Sequence, residues 1–299
     1  MLTSIIRRNE EKDVTSELVL AAKTALAAGR EILKIYENGF SVEEKADGSP
    51  LTQADRCAHE IIQAALSDTG LPLLSEEGRD IAYDQRKAWE RFWLVDPLDG
   101  TKEFIHRRGE FTVNIALIED GRPVMGIVYL PTTGALYAAA RGLGAWRLER
   151  KQFSILASLS EELALKGAWS KITDEAGRLP LAHWAQRPFT IIGSRSHGTE
   201  AVSAYVQRQE KEHGRVDFIS AGSSLKFCRV AEGAADVYPR FGPTMEWDTA
   251  AGQAVAESAG AEVVDAESGR PLVYNKPDLK NPWFIVRRKN GSPLFGKRK

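Results

Sequence analysis

Carboxylates gather at four places in this chain of 299 residues, each beside a hydroxyl or a turn. The first is Thr52-Gln53-Ala54-Asp55, closing the run Lys45-Ala46-Asp47-Gly48-Ser49-Pro50-Leu51. The second is Ser75-Glu76-Glu77-Gly78. The third follows an apolar stretch: Trp93-Leu94-Val95-Asp96-Pro97-Leu98-Asp99-Gly100-Thr101. The fourth is Trp247-Asp248-Thr249-Ala250-Ala251-Gly252, where a helix should open. The third cluster is the most suggestive of chemistry. Asp96 ends an apolar strand, Pro97 fixes φ and predicts an immediate turn, and Asp99 returns on the same side. Gly100 lets the backbone pass close to whatever the carboxylates hold. Two carboxylates on one tight turn repel unless a cation lies between them. Oxygen donors without His or Cys favour a hard ion, Mg²⁺ or Mn²⁺. The Leu98 carbonyl is a further oxygen between the two acids, and Thr101 adds a hydroxyl.

Each cluster has an ordinary reading as well. Asp, Pro and Gly are common turn residues for backbone reasons alone. Thr52-x-x-Asp55 matches a capping box. Asp248 at a helix start is a favourable charge–dipole placement, and Glu76-Glu77 alone reads as a solvated pair. Glu246, just before Trp247-Asp248, brings an additional negative charge to the fourth cluster.

Other chemistries are unsupported. Gly142-Leu143-Gly144 lacks the third glycine of a dinucleotide loop, because Arg147 occupies that position. The five histidines show no metal-ligand spacing, and no Gly-x-Ser-x-Gly elbow occurs. A net charge of −1 argues against a nucleic-acid polymer as partner. The two cysteines, Cys57 and Cys228, fall in helical patterns and read as free thiols in a reducing compartment. No apolar run reaches membrane-spanning length, and the first twelve residues lack the apolar core of a signal peptide, so a cytoplasmic location is expected. The basic runs Arg287-Arg288-Lys289 and Lys297-Arg298-Lys299 read as a solvated tail, with weak attraction to the inner membrane surface as the sharper alternative.

Apolar periodicity predicts amphipathic helices over residues 14–37 and 52–67, the second with Ala54, Ala58, Ile61 and Ala65 inward. Short strands are expected over 71–75, 92–95, 111–118, 124–130 and 135–140. Residues 150–185 are polar and irregular. Strands and helices then alternate as far as about residue 260, the mark of an α/β layer. The expected division is an N-terminal α+β half over 1–155 that binds metal, and a C-terminal α/β half over 156–299 that selects substrate.

Taken together, Glu76-Glu77, Trp93-x-x-Asp96-Pro97-x-Asp99-Gly100-Thr101 and Trp247-Asp248-x-Ala250-Ala251-Gly252 resemble the signature of the inositol monophosphatase superfamily, over about residues 15–285. Further runs are similar to its 3'(2'),5'-bisphosphate nucleotidase branch: Lys45–Asp55, Gly109–Leu117, Gly193–His197, Gly222–Cys228 and Tyr238–Thr244. The resemblance implies a layered αβαβα sandwich, sensitivity to Li⁺, and two or three Mg²⁺ ions. It implies that Glu76, Asp96, the Leu98 carbonyl, Asp99 and Asp248 ligate the metals. Asp55 and Thr101, assisted by Glu76, would orient and deprotonate the attacking water. The turn Leu98-Asp99-Gly100-Thr101 would hold the scissile phosphate. Arg195, Lys226 and Arg240 are candidates for a second phosphate, with Ser194, His197 and Ser223 beside them. The implied reaction removes the 3'-phosphate of adenosine 3',5'-bisphosphate, or of its sulfated form, in sulfur assimilation. An inositol or broad sugar phosphatase is the alternative. A non-catalytic nucleotide-binding regulator is disfavoured, since all four metal carboxylates are present. Oligomeric state stays open.

Overall fold

The computed structural model describes residues 14–44, 50–78, 80–158, 169–170, 172–174, 176–181, 187–195 and 200–289. Helix α1 (Thr15–Asn38) forms where expected, with Leu18, Ala22, Ala25 and Ile32 fully buried on one stripe. Gly29 sits on that stripe for a steric reason. A Cβ there would stand 2.3 Å from Cε1 of Tyr129, whose ring lies against the helix. A short antiparallel pair, β1 (Val42–Glu44) and β2 (Pro50–Thr52), leads into α2 (Gln53–Ser67). The buried stripe of α2 is Ala54, Ala58, Ile62 and Leu66, one position on from the expected Ile61 and Ala65, which stay half-buried. The helix packs on α1 and β4 together, and that pair of partners sets the centre of its stripe.

Seven strands make the first large sheet, in the sequential order β3 (Leu73–Ser75), β4 (Arg91–Asp99), β5 (Thr112–Glu119), β6 (Arg122–Leu130), β7 (Ala135–Ala140), β8 (Gly144–Leu148) and β9 (Gly177–Arg178). Only the β3–β4 pair is parallel. Gly142 and Gly144 lie at the β7–β8 turn, both with positive φ, which accounts for the glycine pair without a phosphate. Short helices α3 (Tyr83–Arg86), α4 (Thr101–Ile105) and α5 (Arg150–Ser158) decorate this half. The 155 position falls inside α5, and β9 still pairs with β8.

A second sheet has the order β11 (Val216–Ser220), β10 (Phe189–Gly193), β12 (Val237–Arg240), β14 (Phe284–Arg288), β13 (Ala261–Asp265). β10 runs parallel to both its neighbours, and β14 antiparallel to its own. Sequence periodicity did not separate β8, β13 or β14 from their surroundings. Arg287 and Arg288 consequently belong to a strand rather than a tail.

Three hydrophobic cores separate the layers. Leu18, Ile32, Ile62, Trp93 and Ile115 fill the space between α1–α2 and the first sheet. Helices α7 (Leu225–Glu232) and α8 (Ala250–Ser258) lie between the sheets, where Phe92, Tyr137, Phe227, Trp247 and Phe284 pack together. Helix α6 (Glu200–His213) covers the outer face of the second sheet through Tyr205, Val237 and Ile285. The result is the expected αβαβα sandwich. Its middle core is shared by both halves of the chain. Gly126 of β6 lets α8 approach closely, since a Cβ would meet the Ala251 carbonyl at 2.5 Å. Buried Glu232 of α7 ties the layers together, accepting bonds from Tyr137 Oη (2.7 Å), Arg147 (2.9 Å) and Arg229 (2.8 Å).

Candidate active site

Asp96 and Asp99 do not flank a tight turn. β4 continues through Pro97 to Asp99, and the pairing with β5 shifts register between Asp96↔Asn114 and Asp99↔Thr112. Three steps on β4 thus match two on β5, which is a β-bulge. In a regular strand residues three apart point to opposite faces. The inserted residue resets that parity and turns both carboxylates toward the same site. Proline, with no N–H to donate, is tolerated at such an irregularity. Asp96 Oδ1 accepts the Leu98 N–H at 3.0 Å, closing the bulge on itself.

Gly100 follows with φ +92°. A Cβ there would face the Glu110 carbonyl and Ser223 Cβ at 3.3 Å each. Its left-handed backbone, disfavoured for any residue with a Cβ, starts α4 and brings Thr101 back over the bulge. Thr101 Oγ1 lies 3.3 Å from Asp55 Oδ1 and 3.4 Å from the Leu98 carbonyl. Asp55 also serves as the capping box of α2. Its Oδ2 accepts from Thr52 N (2.7 Å) and Thr52 Oγ1 (2.6 Å). The capping and catalytic readings of Thr52–Asp55 are therefore compatible, because each uses a different oxygen.

Asp99 is held from three directions. Its Oδ2 accepts Ser224 N at 2.6 Å, Asn114 Nδ2 at 3.2 Å and Thr112 Oγ1 at 3.5 Å. Asn114 also donates to Ser224 Oγ (3.0 Å), and Ser224 Oγ donates to the Asp248 carbonyl (2.9 Å). Asn114 and Ser224, both buried, thus bind the bulge on β4 to the Asp248 segment. Sequence reasoning assigned them nothing. The available signal was a lone amide inside the apolar run Phe111–Leu117.

Asp248 stands in a single 3₁₀ turn, Glu246–Asp248, just ahead of α8 rather than in the helix itself. Its Oδ2 accepts Met245 N at 2.8 Å. Glu246 brings no free charge to the site. It is fully buried, pairs with Lys276 Nζ at 2.6 Å, and accepts the N–H groups of Asn275 (2.6 Å) and Lys276 (3.0 Å). Glu76 lies in the 3₁₀ turn directly after β3, half-buried.

Asp96 is buried and its carboxyl is raised well above 3.8, first by burial and then by Glu76, Asp99, Asp248 and Asp55. Asp248 is raised for the same reasons, burial first, then Asp99 and Glu76. No three His, Cys, Asp or Glu side chains form a ready coordination shell among the described residues. The acids nevertheless share one field. Like charges this close stay apart or protonated until a cation enters. Oxygen donors alone, with a buried carboxylate in the field of four others, fit a hard divalent ion.

Linkage follows from those directions. Folded-state carboxyl values above 3.8 mean that the native chain retains protons which the unfolded chain releases. Metal-free stability should therefore fall as pH rises from about 4 toward the folded values, by roughly 1.4 kcal/mol per pH unit for each retained proton. Mg²⁺ binds the deprotonated form, so its stabilisation should grow as pH rises from about 4 through the folded values. Thermal unfolding with EDTA or Mg²⁺ over a series of pH values from about 4 upward checks this. An increment independent of pH, or an equal one in Asp96→Asn, would remove the link to this carboxylate.

A cleft of ≈ 150 Å³ opens beside these acids. Asp99, Gly100 and Asp248 form one side, and Ser194, Arg195, Ser223, Lys226 and Arg240 the other. It adjoins a second hollow of ≈ 300 Å³ walled by Val202, Phe218, Pro239 and Phe241, the two sharing Ser194, Arg195 and Arg240. Lys226 is buried, and its Nζ donates to the carbonyls of Ser223 (2.6 Å) and Ala221 (3.3 Å). Burial lowers its ammonium to about 8, opposed by Asp99. Arg240 donates to Ser194 Oγ (2.9 Å) and the Pro243 carbonyl (3.0 Å), and its Nε is buried without a partner. Arg195 is engaged differently, in a two-pronged ion pair with Glu110, which also accepts Gly222 N at 2.8 Å. His197 lies outside the described residues.

A layered αβαβα sandwich with an acid-lined bulge at the end of β4 is the architecture of a phosphate-ester site in one family. The model of the inositol monophosphatase family matches residues 13–286, and the chain belongs to that family. It is 44% identical over 264 residues to the Escherichia coli K12 protein named 3'(2'),5'-bisphosphate nucleotidase CysQ, covering 87% of this chain and 94% of that one. The crystal structure of CysQ from Bacteroides thetaiotaomicron, described as a bacterial member of the family, is 51% identical, with TM-score 0.82 over 92% of this chain and 98% of its own. The fold alone is shared with the extragenic suppressor protein suhB from Bartonella henselae, at 24% identity and TM-score 0.67 over 92% of this chain and 94% of that one.

Proposed function

We propose that this chain is a Mg²⁺-dependent phosphomonoesterase that removes the 3'-phosphate from adenosine 3',5'-bisphosphate, giving AMP and inorganic phosphate. The observation that carries the reading is a single cleft lined by acids on one side and by cationic side chains on the other. The acids on one wall suit a metal-held phosphate. Across from them stand buried Lys226 and Arg240, whose guanidinium has no carboxylate partner among the described residues. An inositol monophosphate carries only one phosphate and leaves the cationic side unmatched. Arg195 lines the same cleft, but Glu110 already neutralises it. The apolar hollow beyond Arg240 offers Phe218 and Phe241 as walls for the adenine ring.

Glu76, Asp96, the Leu98 carbonyl, Asp99 and Asp248 would hold the Mg²⁺ ions, two and, with Asp55 and Glu76, a third. Bound there, the metal supplies charge neutralisation at the phosphate and acidifies a water. The chain's own residues do the rest. Thr101 donates its hydroxyl proton to Asp55 Oδ1, which leaves an oxygen lone pair to accept a proton from the attacking water. Asp55 is oriented for this by the two Thr52 bonds on its other oxygen. The turn Leu98-Asp99-Gly100-Thr101 would hold the scissile phosphate. Lys226 and Arg240 hold the 5'-phosphate and fix which ester oxygen meets the acids.

Side-by-side release of phosphate from adenosine 3',5'-bisphosphate and inositol 1-phosphate tests the assignment. Faster turnover of the nucleotide is expected, and preference for the inositol ester would overturn it. Arg240→Ala should raise KM for the bisphosphate by about tenfold or more, the scale of a charge-assisted hydrogen bond. It should leave a 3'-monophosphate lacking the 5' group almost unaffected. Equal losses on both substrates would move Arg240 out of the second phosphate site. No helix among the described residues is long and apolar enough to cross a membrane. A cytoplasmic enzyme is part of this proposal, and cell fractionation checks it.

A further inference from the structure

The basic run at the end of β14 is not part of the cleft. Arg287 and Arg288 open onto a hollow of ≈ 590 Å³ on the outer side of the second sheet, together with Arg187, Arg208 and Arg215. Five guanidinium groups there face two carboxylates, Glu212 and Asp236. Asp236 is taken by Arg187 at 2.6 Å, and Arg287 pairs with Glu262 at 2.7 Å. Arg215 reaches Asp217 at 3.4 Å, with both groups exposed, and His213 lies 3.8 Å from Glu212. Arg208 has no carboxylate partner among the described residues, and instead lies 4.9 Å over the Tyr205 ring. The hollow is therefore net positive.

A second hollow, of ≈ 610 Å³, adjoins it and shares Tyr205, Arg208 and Ile285. This one is aromatic. Phe241 stands between Tyr205 and Trp283 at centroid distances of 5.7 and 5.6 Å. Trp283 is 54% exposed, a large cost in apolar hydration for a ring with no cover. Its acids are Asp265, which accepts the N–H groups of Glu267 and Ser268 at 2.8 Å, and Glu267. Neither hollow shares a described lining residue with the acid-lined cleft, and Phe241 alone is common to the aromatic hollow and the apolar hollow beside that cleft.

We propose that the two joined hollows form a second ligand site, separate from the catalytic cleft, for an aromatic ring linked to two or more phosphates, which is the chemistry of a nucleotide. The ring lies against Trp283 and Tyr205. The phosphates meet Arg208, which lines both hollows, within the positive field of the neighbouring arginines. Each hollow falls within the ordinary size range of ligand pockets. An apolar ring pocket ending in an array of guanidinium groups complements both ends of that ligand. An inorganic anion would leave the aromatic half unused, and an uncharged ring would leave the basic half unused.

The probe is ADP, titrated calorimetrically into the full-length chain in EDTA. The Arg240→Gln background weakens binding in the cleft. ADP is expected to bind there, with affinity lowered tenfold or more by adding Arg208→Gln and lowered again by Trp283→Ala. Pyrophosphate should bind at least tenfold more weakly than ADP. In the wild-type background, Arg208→Gln should keep kcat and KM for the 3'-nucleotide within about twofold, which separates loss of this site from loss of the fold or of the proposed activity. Absence of ADP binding in Arg240→Gln would overturn the proposal, since ADP would then be a cleft ligand only. Equal affinity for pyrophosphate would overturn the role of the ring pocket. Capture by anionic phospholipid vesicles through Arg208, with no ADP binding, would replace the site by a membrane contact.

Discussion

Asp96→Asn should lower kcat by about a thousandfold or more while the protein stays folded. The buried carboxylate sits among Glu76, Asp99, Asp248 and Asp55, and its burial alone drives it toward the neutral form. A bound cation favours its ionised form, so its charge would serve catalysis through that cation. Loss of several kcal/mol of charge stabilisation at the transition state corresponds to this fall in rate, at about 1.4 kcal/mol per tenfold. Asparagine keeps the shape and can still accept the Leu98 N–H. It also removes a charge that four neighbours oppose, so the metal-free variant should melt no lower than the wild type. Mg²⁺ should then raise its Tm less. Steady-state kinetics with thermal scans in EDTA and Mg²⁺ give both readings. Near-normal turnover in this variant would remove Asp96 from the metal set, and a large drop in metal-free Tm would make its role structural.

Thr101→Ala should lower kcat by roughly 10²–10⁴, the usual range for a positioned proton-transfer group, with Thr101→Ser restoring most of it. The hydroxyl touches both Asp55 Oδ1 and the Leu98 carbonyl. Loss of the hydroxyl removes no helix cap, because the N-cap of α4 is Gly100 and makes no side-chain bond. Thr52→Ala serves as the contrast. It deletes the side-chain cap of α2, worth about 1 kcal/mol, but leaves the Thr52 N–H on Asp55. That variant should lose stability and keep most of its kcat. If Thr52→Ala and Thr101→Ala cost the same rate, Asp55 acts by holding α2 in place and the relay is wrong.

Residue types and their chain order were enough to single out the four acid clusters, because each is a contiguous run of a few residues with its hydroxyl or glycine inside it. The amphipathic stripe of α1 and the strand–helix alternation after residue 185 were readable for a similar reason. Burial on one face imposes a period on the sequence, and the period survives without knowledge of the partner. Strands β8, β13 and β14 were not readable this way, since short strands whose faces meet different layers carry little period of their own.

Long-range pairing carried the rest. The bulge that turns Asp96 and Asp99 to one side exists in the register between β4 and β5, not in Asp-Pro-Leu-Asp. Asp55 meets Thr101 across 46 residues, and Asn114 meets Ser224 across 110. The same holds for charge. Glu246, Arg195 and Arg240 all looked alike as charged side chains near the motifs. Lys276 neutralises the first and Glu110 the second, while no described carboxylate forms an ion pair with the third. A charge is available to a ligand only when the fold leaves it unmatched. Partners that lie tens of residues away leave no mark on local composition, so chain order names the acids that can do the chemistry, and the packing of distant segments determines which cations stand free to select what they act on.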